Sequence, residues 1–278
     1  MRMSWRNWKR SGGGPHFVLM GAVMIGVLWS PLGLVMAWQQ LPAWGRLEWA
    51  MVFASGIAHL VYFNCLLAGY RAADLTVVYP VARGTGPLVT AFASLVVLDE
   101  HLGAWGVAGV LAVTGGVFLI AGGPALWAQA HDPAQRQRVR AGLAWGALTG
   151  LLISTYTLID GYAVKVLALS PILIDWMGNL LRIPFMLPGA LADRAGFVAD
   201  FKRQWKAALL LAAISPLGYV LVLYAAQQAP LSHVAPAREV SMLFAALLGG
   251  RLLGETDRGL RLLGAACIAG GVMALALG

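Results

Sequence analysis

The stretch LTVVYPVARGTGPLVTAFASLVVLDE, residues 75–100, decides the fold because it places a single arginine inside a long apolar run. Arg83 is the only charged residue between Asp74 and Asp99. A guanidinium near the middle of a membrane-spanning segment costs from about 3 to more than 10 kcal/mol, depending on how far it can snorkel or draw in water. If the segment crosses a bilayer, that cost indicates a functional or structural use for the charge.

The composition of the whole chain is that of an integral membrane protein. Of its 278 residues, 59% are hydrophobic and only 12% are charged, and the mean hydropathy is +0.73. Such a chain has too little polar surface to cover a soluble globule. Six uncharged windows each have about the length of one crossing. They are residues 17–45, 49–70, 102–130, 141–159, 207–232 and 262–278.

Three further segments fit a crossing once isolated ionisable groups are allowed. They are 75–98 with Arg83, 166–192 with Asp175 and Arg182, and 231–250 with Arg238 and Glu239. The windows are continuous apolar runs rather than short alternating segments, which excludes membrane-spanning strands. The sequence therefore predicts an all-α polytopic membrane protein with about nine transmembrane helices.

Glycines and prolines inside the windows predict how these helices pack and bend. Gly142, Gly146 and Gly150 form a double small-xxx-small run, which lets one helix approach another backbone closely. Prolines within the windows mark places where a helix can kink or break. These prolines are Pro31, Pro80, Pro87, Pro184, Pro216 and Pro236.

The positive charges are distributed unevenly across the membrane. Counting crossings from the N-terminus puts Arg46 and Lys165 on one side and fifteen basic residues on the other. The fifteen are Arg2, Arg6, Lys9, Arg10, Arg71, Arg136, Arg138, Arg140, Arg194, Lys202, Arg203, Lys206, Arg251, Arg258 and Arg261. By the positive-inside rule the N-terminus is cytoplasmic and, with nine crossings, the C-terminus is outside. Topology thus explains the net charge of +8, and no nucleic-acid partner is expected.

An internal repeat relates the two halves of the chain. An offset of 155 positions aligns residues 75–123 with 230–278 at 12 identities in 49, including Arg83 with Arg238 and Glu100 with Glu255. A repeat unit of five crossings returns in inverted orientation, which relates the halves by an axis in the membrane plane.

These observations predict a first half of four helices and a second half of five. The first half covers residues 1–123 and the second covers 141–278. Residues 124–140, which contain three arginines, are expected to form a basic loop between the halves.

Three segments carry a resemblance to a known family. Residues 70–103, YRAADLTVVYPVARGTGPLVTAFASLVVLDEHLG, resemble the diagnostic segment of EamA-type members of the drug/metabolite transporter superfamily. Residues 235–255, APAREVSMLFAALLGGRLLGE, resemble its partner motif in the second half, and residues 154–165, STYTLIDGYAVK, resemble the end of the family's sixth helix. The resemblance covers nearly the whole chain.

The resemblance implies ten helices in two five-helix repeats with both termini in the cytoplasm. Residues 3–14, MSWRNWKRSGGG, resemble the tail of the family's first helix and its following loop. The expectation is therefore that the first helix of the usual ten is missing. The family orientation then puts the N-terminus outside, in conflict with the charge count, and the charge count is given more weight.

The resemblance also implies the function, a gradient-driven secondary transporter of the bacterial inner membrane that exports a small polar metabolite by alternating access. The expected partners are the lipid bilayer and a small solute, anionic or zwitterionic, with a homodimer left open. HExxH, GxSxG, Walker and CxxC motifs are absent from the sequence, so no enzymatic activity, cofactor or metal is expected. A non-transporting scaffold or subunit and a membrane-embedded enzyme remain the alternatives.

Arg83 and Tyr79 are the first candidates for the solute site. They lie four residues apart and so share a helix face, and Pro80, Gly84, Gly86 and Pro87 predict an interrupted backbone around them. Two roles for Arg83 remain open. It either pairs with a carboxylate or phosphate of the substrate or forms a structural salt bridge to Asp160, Asp175 or Glu239.

Arg238 is the candidate in the second half because it is the repeat partner of Arg83. Adjacent helical residues point about 100° apart, so only one of Arg238 and Glu239 is expected to face a cavity squarely. Glu239 is expected to pair locally or with Arg182, and it is also a candidate for ion coupling. A structural role remains open for both residues.

A second group of candidates lies on two other predicted helices. Asp175, Asn179 and Arg182 fall at i, i+4 and i+7, which predicts one polar stripe that lines the pathway or forms a buried network. Tyr156 and Asp160 likewise share a face, and Asp160 is a candidate for proton coupling. A position in the headgroup region is the alternative for Asp160.

Overall fold

The computed structural model describes residues 15–120, 132–244 and 258–277, and every regular element in these ranges is helical. The elements that lie wholly within these ranges are ten α-helices and one short 3₁₀ helix, Leu41–Ala43. The α-helices are α1 Pro15–Leu28, α2 Ser30–Gln40, α3 Arg46–Ala72, α4 Leu75–Val97, α5 Ala104–Ile120, α6 Pro133–Lys165, α7 Pro171–Ala192, α8 Arg194–Gln228, α9 Leu231–Ala237 and α10 Arg258–Leu277. The predicted all-α class is confirmed for this part of the chain.

Four of the described helices are long and apolar enough to cross a bilayer. They are α3, α6, α8 and the segment Val77–Val97 of α4. A bent pair, α1 with α2, raises the number to five if the pair is one span. The apolar helices Ala104–Ile120 and Leu262–Leu277 are shorter. The count of nine crossings stays a prediction.

The predicted first window, residues 17–45, is two helices that meet at an angle of 65°. Pro31 has no amide hydrogen with which to bond the carbonyl of Val27, so the regular helix is interrupted there. The hydroxyl of Ser30 instead donates to the carbonyl oxygen of Val27 at 2.7 Å. The Ser30 hydroxyl therefore takes the place of the amide donor that Pro31 lacks.

The chain divides into two compact units, and each draws on both ends of the sequence. Unit 1 contains the described residues of Met1–Ile57 and Leu167–Tyr224. Unit 2 contains those of Ala58–Val166 and Ala225–Gly278. Helices α3 and α8 each contribute residues to both units.

Unit 1 is organised around the indole of Trp176 on α7. Trp176 packs with the buried side chains of Ala37 and Leu173, and its N–H donates to the carbonyl oxygen of Gly26 at 2.9 Å. The ring lies where a side chain at Gly33 would project, so this glycine lets α2 approach α7. A buried indole with a satisfied N–H stabilises the packing of α1 and α2 on α7.

In unit 2 the glycine run of α6 packs closely against another helix, as the sequence predicts, and that helix is α4. A Cβ added at Gly142 would lie 2.8 Å from Cγ1 of Val77, one at Gly146 would lie 2.7 Å from Cβ of Val81, and one at Gly150 would lie 2.7 Å from Cβ of Thr85. The contacted side chains are each four residues apart, so one face of α4 lies along the glycine face. This packing holds α4 close to α6 over more than two turns.

Helices α5 and α10 cross through four reciprocal glycines. A Cβ at Gly116 would lie 2.5 Å from the carbonyl oxygen of Gly264, and a Cβ at Gly264 would lie 2.6 Å from that of Gly116. Gly109 and Gly271 show the same reciprocal contact, at 2.7 and 2.8 Å. Both helices thus lie backbone to backbone at two points seven residues apart.

Helix α6 begins earlier than the sequence suggested. The side chain of Asp132 accepts a hydrogen bond from the amide of Ala134 at 3.2 Å, and Pro133 occupies the first turn. Residues 133–140, predicted as part of a basic loop, are therefore helical and carry their arginines at or near the surface. The composition could not distinguish a loop from a helix for residues 133–140, because a charged segment is as compatible with an exposed helical turn as with a loop. The rest of the predicted loop, 124–131, lies outside the described residues.

Candidate functional site

Arg83 projects from α4 in unit 2 and is held by two groups of the second half of the chain. Its Nε lies 2.9 Å from Oε2 of Glu239, and its Nη2 donates to Oγ of Ser241 at 2.9 Å. The guanidinium carbon lies 5.8 Å from the centre of the Tyr79 ring. The predicted shared face of Tyr79 and Arg83 is thus present, with a cation–π contact.

Glu239 lies between two guanidinium groups. Besides Arg83, the Nε of Arg238 lies 3.4 Å from Oε1 of Glu239. Arg238 also donates from Nη1 to Oγ1 of Thr157 through a long hydrogen bond of 3.5 Å. Of the three carboxylates that the sequence offered as salt-bridge partners of Arg83, the one that contacts it is Glu239. The prediction that Glu239 pairs locally is met through Arg238.

The carboxylate of Glu239 is buried, whereas Arg83 is partly open. The side chain of Glu239 is 1% exposed, that of Arg83 is 25% exposed and that of Arg238 is 11% exposed. The contact between Arg83 and Glu239 is within hydrogen-bond distance. A buried ion pair nevertheless stabilises a fold weakly, because desolvation offsets the attraction.

The break in the backbone occurs in the second half, not where the sequence predicted it. Helix α4 runs without interruption from Leu75 to Val97, so the expected break around Tyr79 and Arg83 is wrong. Close packing on the glycine face of α6 keeps the backbone helical there despite Pro80 and Pro87.

Helix α9 instead ends at Ala237, and Arg238 and Glu239 form a turn. The amide of Glu239 bonds the carbonyl of Pro236 at 2.9 Å, and that of Met242 bonds the carbonyl of Glu239 at 2.8 Å. These bonds span three residues rather than four, so the helix tightens where both charges emerge. Pro236 lies at this break, which agrees with its prediction as a breaker.

An aromatic cluster on α3 and α6 lies within electrostatic range of the charged residues. The ring of Tyr156 stacks on His59 with centroids 3.9 Å apart and meets Tyr62 edge-on at 5.4 Å. The charges of Arg238, Arg83, Asp160 and Glu239 all act on the Tyr156 hydroxyl. Asp160 itself is fully buried.

The predicted polar stripe of α7 belongs to unit 1. The side-chain amide of Asn179 donates to the carbonyl oxygen of Asp175 at 2.8 Å and to its carboxylate at 3.2 Å. The Nε of Arg182 donates to the carbonyl oxygen of Gly178 at 2.9 Å. The bonds between Asn179 and Asp175 join two residues of the predicted stripe, whereas Arg182 bonds a backbone carbonyl outside it. The candidate residues therefore form two groups, one in each unit.

Glu100, in the connection between α4 and α5, joins three segments of unit 2. Its carboxylate accepts from the amides of Leu231 and Ser232 at 2.7 and 2.9 Å, at the start of α9. It also accepts from Nζ of Lys165, the last residue of α6, at 2.6 Å. Glu100 thus fixes the start of α9, the helix that leads to Arg238.

Replacing Glu100 with glutamine is expected to lower stability at neutral pH by about 1–3 kcal/mol, because charge-assisted hydrogen bonds are lost. Burial would raise the pKa of Glu100, but hydrogen bonds from Lys165, Ser232 and Leu231 hold that pKa below its ordinary value. A lowered pKa in the folded state means that the carboxylate stabilises the fold above the unfolded-state pKa and loses this effect as pH falls through the folded-state pKa.

The difference in melting temperature between wild type and Glu100→Gln should therefore shrink on acidification. Thermal unfolding in detergent from pH 7 to pH 3.5 measures it. The control is Asp74→Asn, since Asp74 is exposed and makes no side-chain capping bond. An equal deficit of Glu100→Gln at both pH values would contradict the assignment.

Two residues of the site, Thr157 and Ser241, were not predicted from the sequence. Neutral hydroxyls carry little signal in a hydropathy profile. The spacing does offer one clue, because Ser241 follows Arg238 by three residues and lies one helical turn away. The aromatic stack of His59 and Tyr156 joins residues almost a hundred positions apart, which no local pattern reveals.

Comparison with known proteins assigns the second half of the chain. The family model described as "EamA-like transporter family" matches residues 140–277. No curated protein sequence matches the chain.

Solved structures agree over a longer stretch. Among 26 matching chains, one titled "Crystal structure of protein" is 18% identical, with a TM-score of 0.65, and covers 97% of this chain and 90% of that chain. At this identity the similarity shows the fold alone.

Proposed function

We infer the function from the premise that residues 140–277 are an EamA-like transporter domain and that the chain belongs to the drug/metabolite transporter superfamily. We propose that this protein is a gradient-driven carrier. It is a multi-pass membrane protein. It moves a small polar metabolite by alternating access and catalyses no reaction.

One observation carries this proposal, the ionic cluster of Arg83, Glu239 and Arg238. Ionisable groups within membrane-spanning helices are costly, and in membrane proteins they mark substrate or ion pathways. Arg83 is fixed on a continuous helix, and its side chain is 25% exposed, whereas that of Glu239 is 1% exposed. Tyr79, itself exposed, extends the surface beside it.

The reciprocal glycine contacts support two inverted halves. The repeat offset equates Gly109 with Gly264 and Gly116 with Gly271. The contacts exchange these partners, since Gly109 meets Gly271 and Gly116 meets Gly264. A two-fold relation gives this exchange, because residue i of one copy then meets residue j of the other and the reverse. We infer the four-plus-five arrangement, with nine crossings and a cytoplasmic N-terminus, from this relation and the charge count.

The candidate residues take different roles in this proposal. Arg83 and Tyr79 bind the solute together with Arg238, and Tyr156 forms the adjacent wall. Glu239 and Asp160 are the buried carboxylates available for proton coupling. The role of the polar stripe of unit 1 in lining the solute pathway stays a prediction from the sequence. This stripe consists of Asp175, Asn179 and Arg182.

We infer export across a bacterial inner membrane, and solute flux tests the function. Purified protein is screened with a panel of amino acids, sugars, organic acids and phosphorylated metabolites by thermal shift. The solutes that raise the melting temperature are then followed across liposome membranes with and without a proton gradient. The expected result is saturable flux of at least one of them. A protein that binds a fixed partner and moves none would be a scaffold instead, and one that consumes a lipid would be an enzyme.

A further inference from the structure

We propose that Glu239 and Ser241 occupy, in this conformation, the place that the carboxylate of the transported solute takes at Arg83. The solute is then an organic carboxylate, and it binds once the segment that carries both residues withdraws. This inference rests on the proposed carrier function and specifies the solute class of the same site.

The positions of two oxygens support the substitution. A guanidinium binds a carboxylate best through two parallel bonds from neighbouring nitrogens. Oε2 of Glu239 lies 2.9 Å from Nε of Arg83, and Oγ of Ser241 lies 2.9 Å from its Nη2. Nε and Nη2 form one edge of the guanidinium, so the two protein oxygens together cover the edge that a planar carboxylate uses.

Desolvation weakens the internal contact, which favours exchange. The side chain of Glu239 is 1% exposed, and removing a carboxylate from water offsets much of its attraction to a guanidinium. A solute carboxylate that approaches the edge in its plane would make two parallel bonds to Arg83.

The backbone permits Glu239 to move while Arg83 stays in place. Arg83 lies on α4 between Val81 and Thr85, whose side chains pack against Gly146 and Gly150. Glu239 lies in a turn at the end of α9, and such terminal positions absorb the dihedral changes of hinge motions. Glu239, the internal competitor, is therefore the group that moves, and Arg83, the solute ligand, is the group that stays fixed.

Arg238 keeps the displaced carboxylate paired. Its Nε already lies 3.4 Å from Oε1 of Glu239, so Glu239 can leave Arg83 without losing its other cation. Among the described residues, the charged and titratable groups near this exchange include Arg83, Arg238, Tyr156, Asp160 and Tyr79.

Binding of acetate, the smallest carboxylate, tests the proposal without knowledge of the solute. Apparent dissociation constants are measured from the concentration dependence of the melting temperature of the full chain in detergent, with acetamide as the neutral match and inorganic phosphate as the other oxyanion. Glu239→Gln is expected to bind acetate at least about tenfold more tightly than wild type, because a competitor that holds the site nine-tenths of the time weakens apparent affinity tenfold. Acetamide should show no such gain.

Two further variants keep the test decisive. Ser241→Ala vacates one oxygen position at an exposed residue, so it should bind acetate a few-fold more tightly even if Glu239→Gln fails to fold. Adding Arg83→Gln to either variant should remove the gain. Unchanged or weaker acetate binding in the folded variants, or a larger gain for phosphate than for acetate, would overturn the proposal. Flux of any solute by wild type would leave the carrier function standing in that case.

Discussion

Replacing Gly116 with valine is expected to lower the free energy of unfolding by about 3 kcal/mol or more, whereas the same replacement at the neighbouring Gly115 should change it by less than about 1 kcal/mol. A Cβ at Gly116 would lie 2.5 Å from the carbonyl oxygen of Gly264 and 3.0 Å from the amide nitrogen of Ile268. Backbone atoms cannot rotate away, so α5 and α10 would have to separate. Overpacking typically costs about 1–3 kcal/mol, and loss of a helix crossing lies at the upper end.

Gly115 is a matched control because it shares the helix and the residue type. Nothing lies within 4 Å of a Cβ added there. Thermal unfolding and the yield of monodisperse protein in detergent measure both variants. The reciprocal contacts predict the same contrast on α10, with Gly271→Val destabilising and Gly270→Val tolerated. Equal losses at Gly115 and Gly116 would contradict the proposed crossing.

The sequence predicted the helical class and one of the closest helix contacts. Long apolar windows can only be satisfied by helices in lipid, and three glycines at a spacing of four define one face regardless of what packs on it. The identity of the partner, α4, required the structure. Spacing determines which residues share a helix face, but it does not determine which other helix packs against that face.

The prolines predicted helix breaks less well than the glycine run predicted close helix packing. Pro31 and Pro236 lie at breaks, whereas Pro80 and Pro87 lie inside a continuous helix. The difference is tertiary. Helix α4 is held against the glycine face of α6. Packing can therefore keep a proline-containing segment helical, and no local pattern reports it.

The ionic cluster could be predicted only in part. Hydropathy singles out Arg83, Arg238 and Glu239 because each is a charge in an apolar window. Pairing between residues more than 150 positions apart is not readable from one sequence, so three carboxylates were equal candidates for Arg83. The choice of Glu239 follows from where α9 ends, which depends on Pro236 and on the anchoring of its first residues by Glu100.

Loss of the Arg83 guanidinium is the second large expected effect. Arg83→Ala removes the proposed solute ligand and also leaves Glu239 with Arg238 as its only ion-pair partner among the described residues, which costs stability. Transport is expected to fall to background while the protein still inserts in the membrane. A charge-neutral double variant, Arg83→Gln with Glu239→Gln, removes one charge of each sign. It should recover much of the stability and none of the transport.

The control for this series is Arg140→Ala, because Arg140 is exposed near the start of α6 and is placed in no site. Its flux should equal that of wild type. Compared with Glu239→Gln alone, which controls for the proton-coupling role of Glu239, the double variant separates a stabilising ion pair from a solute ligand. A residue that acts only through Glu239 would become dispensable once Glu239 is neutral.

The most direct measurement is therefore the initial rate of solute uptake into liposomes that contain equal amounts of folded wild type, Arg83→Ala, the charge-neutral double variant and Arg140→Ala. The solute is the one that wild type moves fastest in the panel. Uptake that is lost in both Arg83 variants and retained in Arg140→Ala is the result expected of a carrier that binds its solute at Arg83. Uptake at the wild-type rate by the double variant would contradict that assignment and leave the Arg83–Glu239 pair as a structural contact.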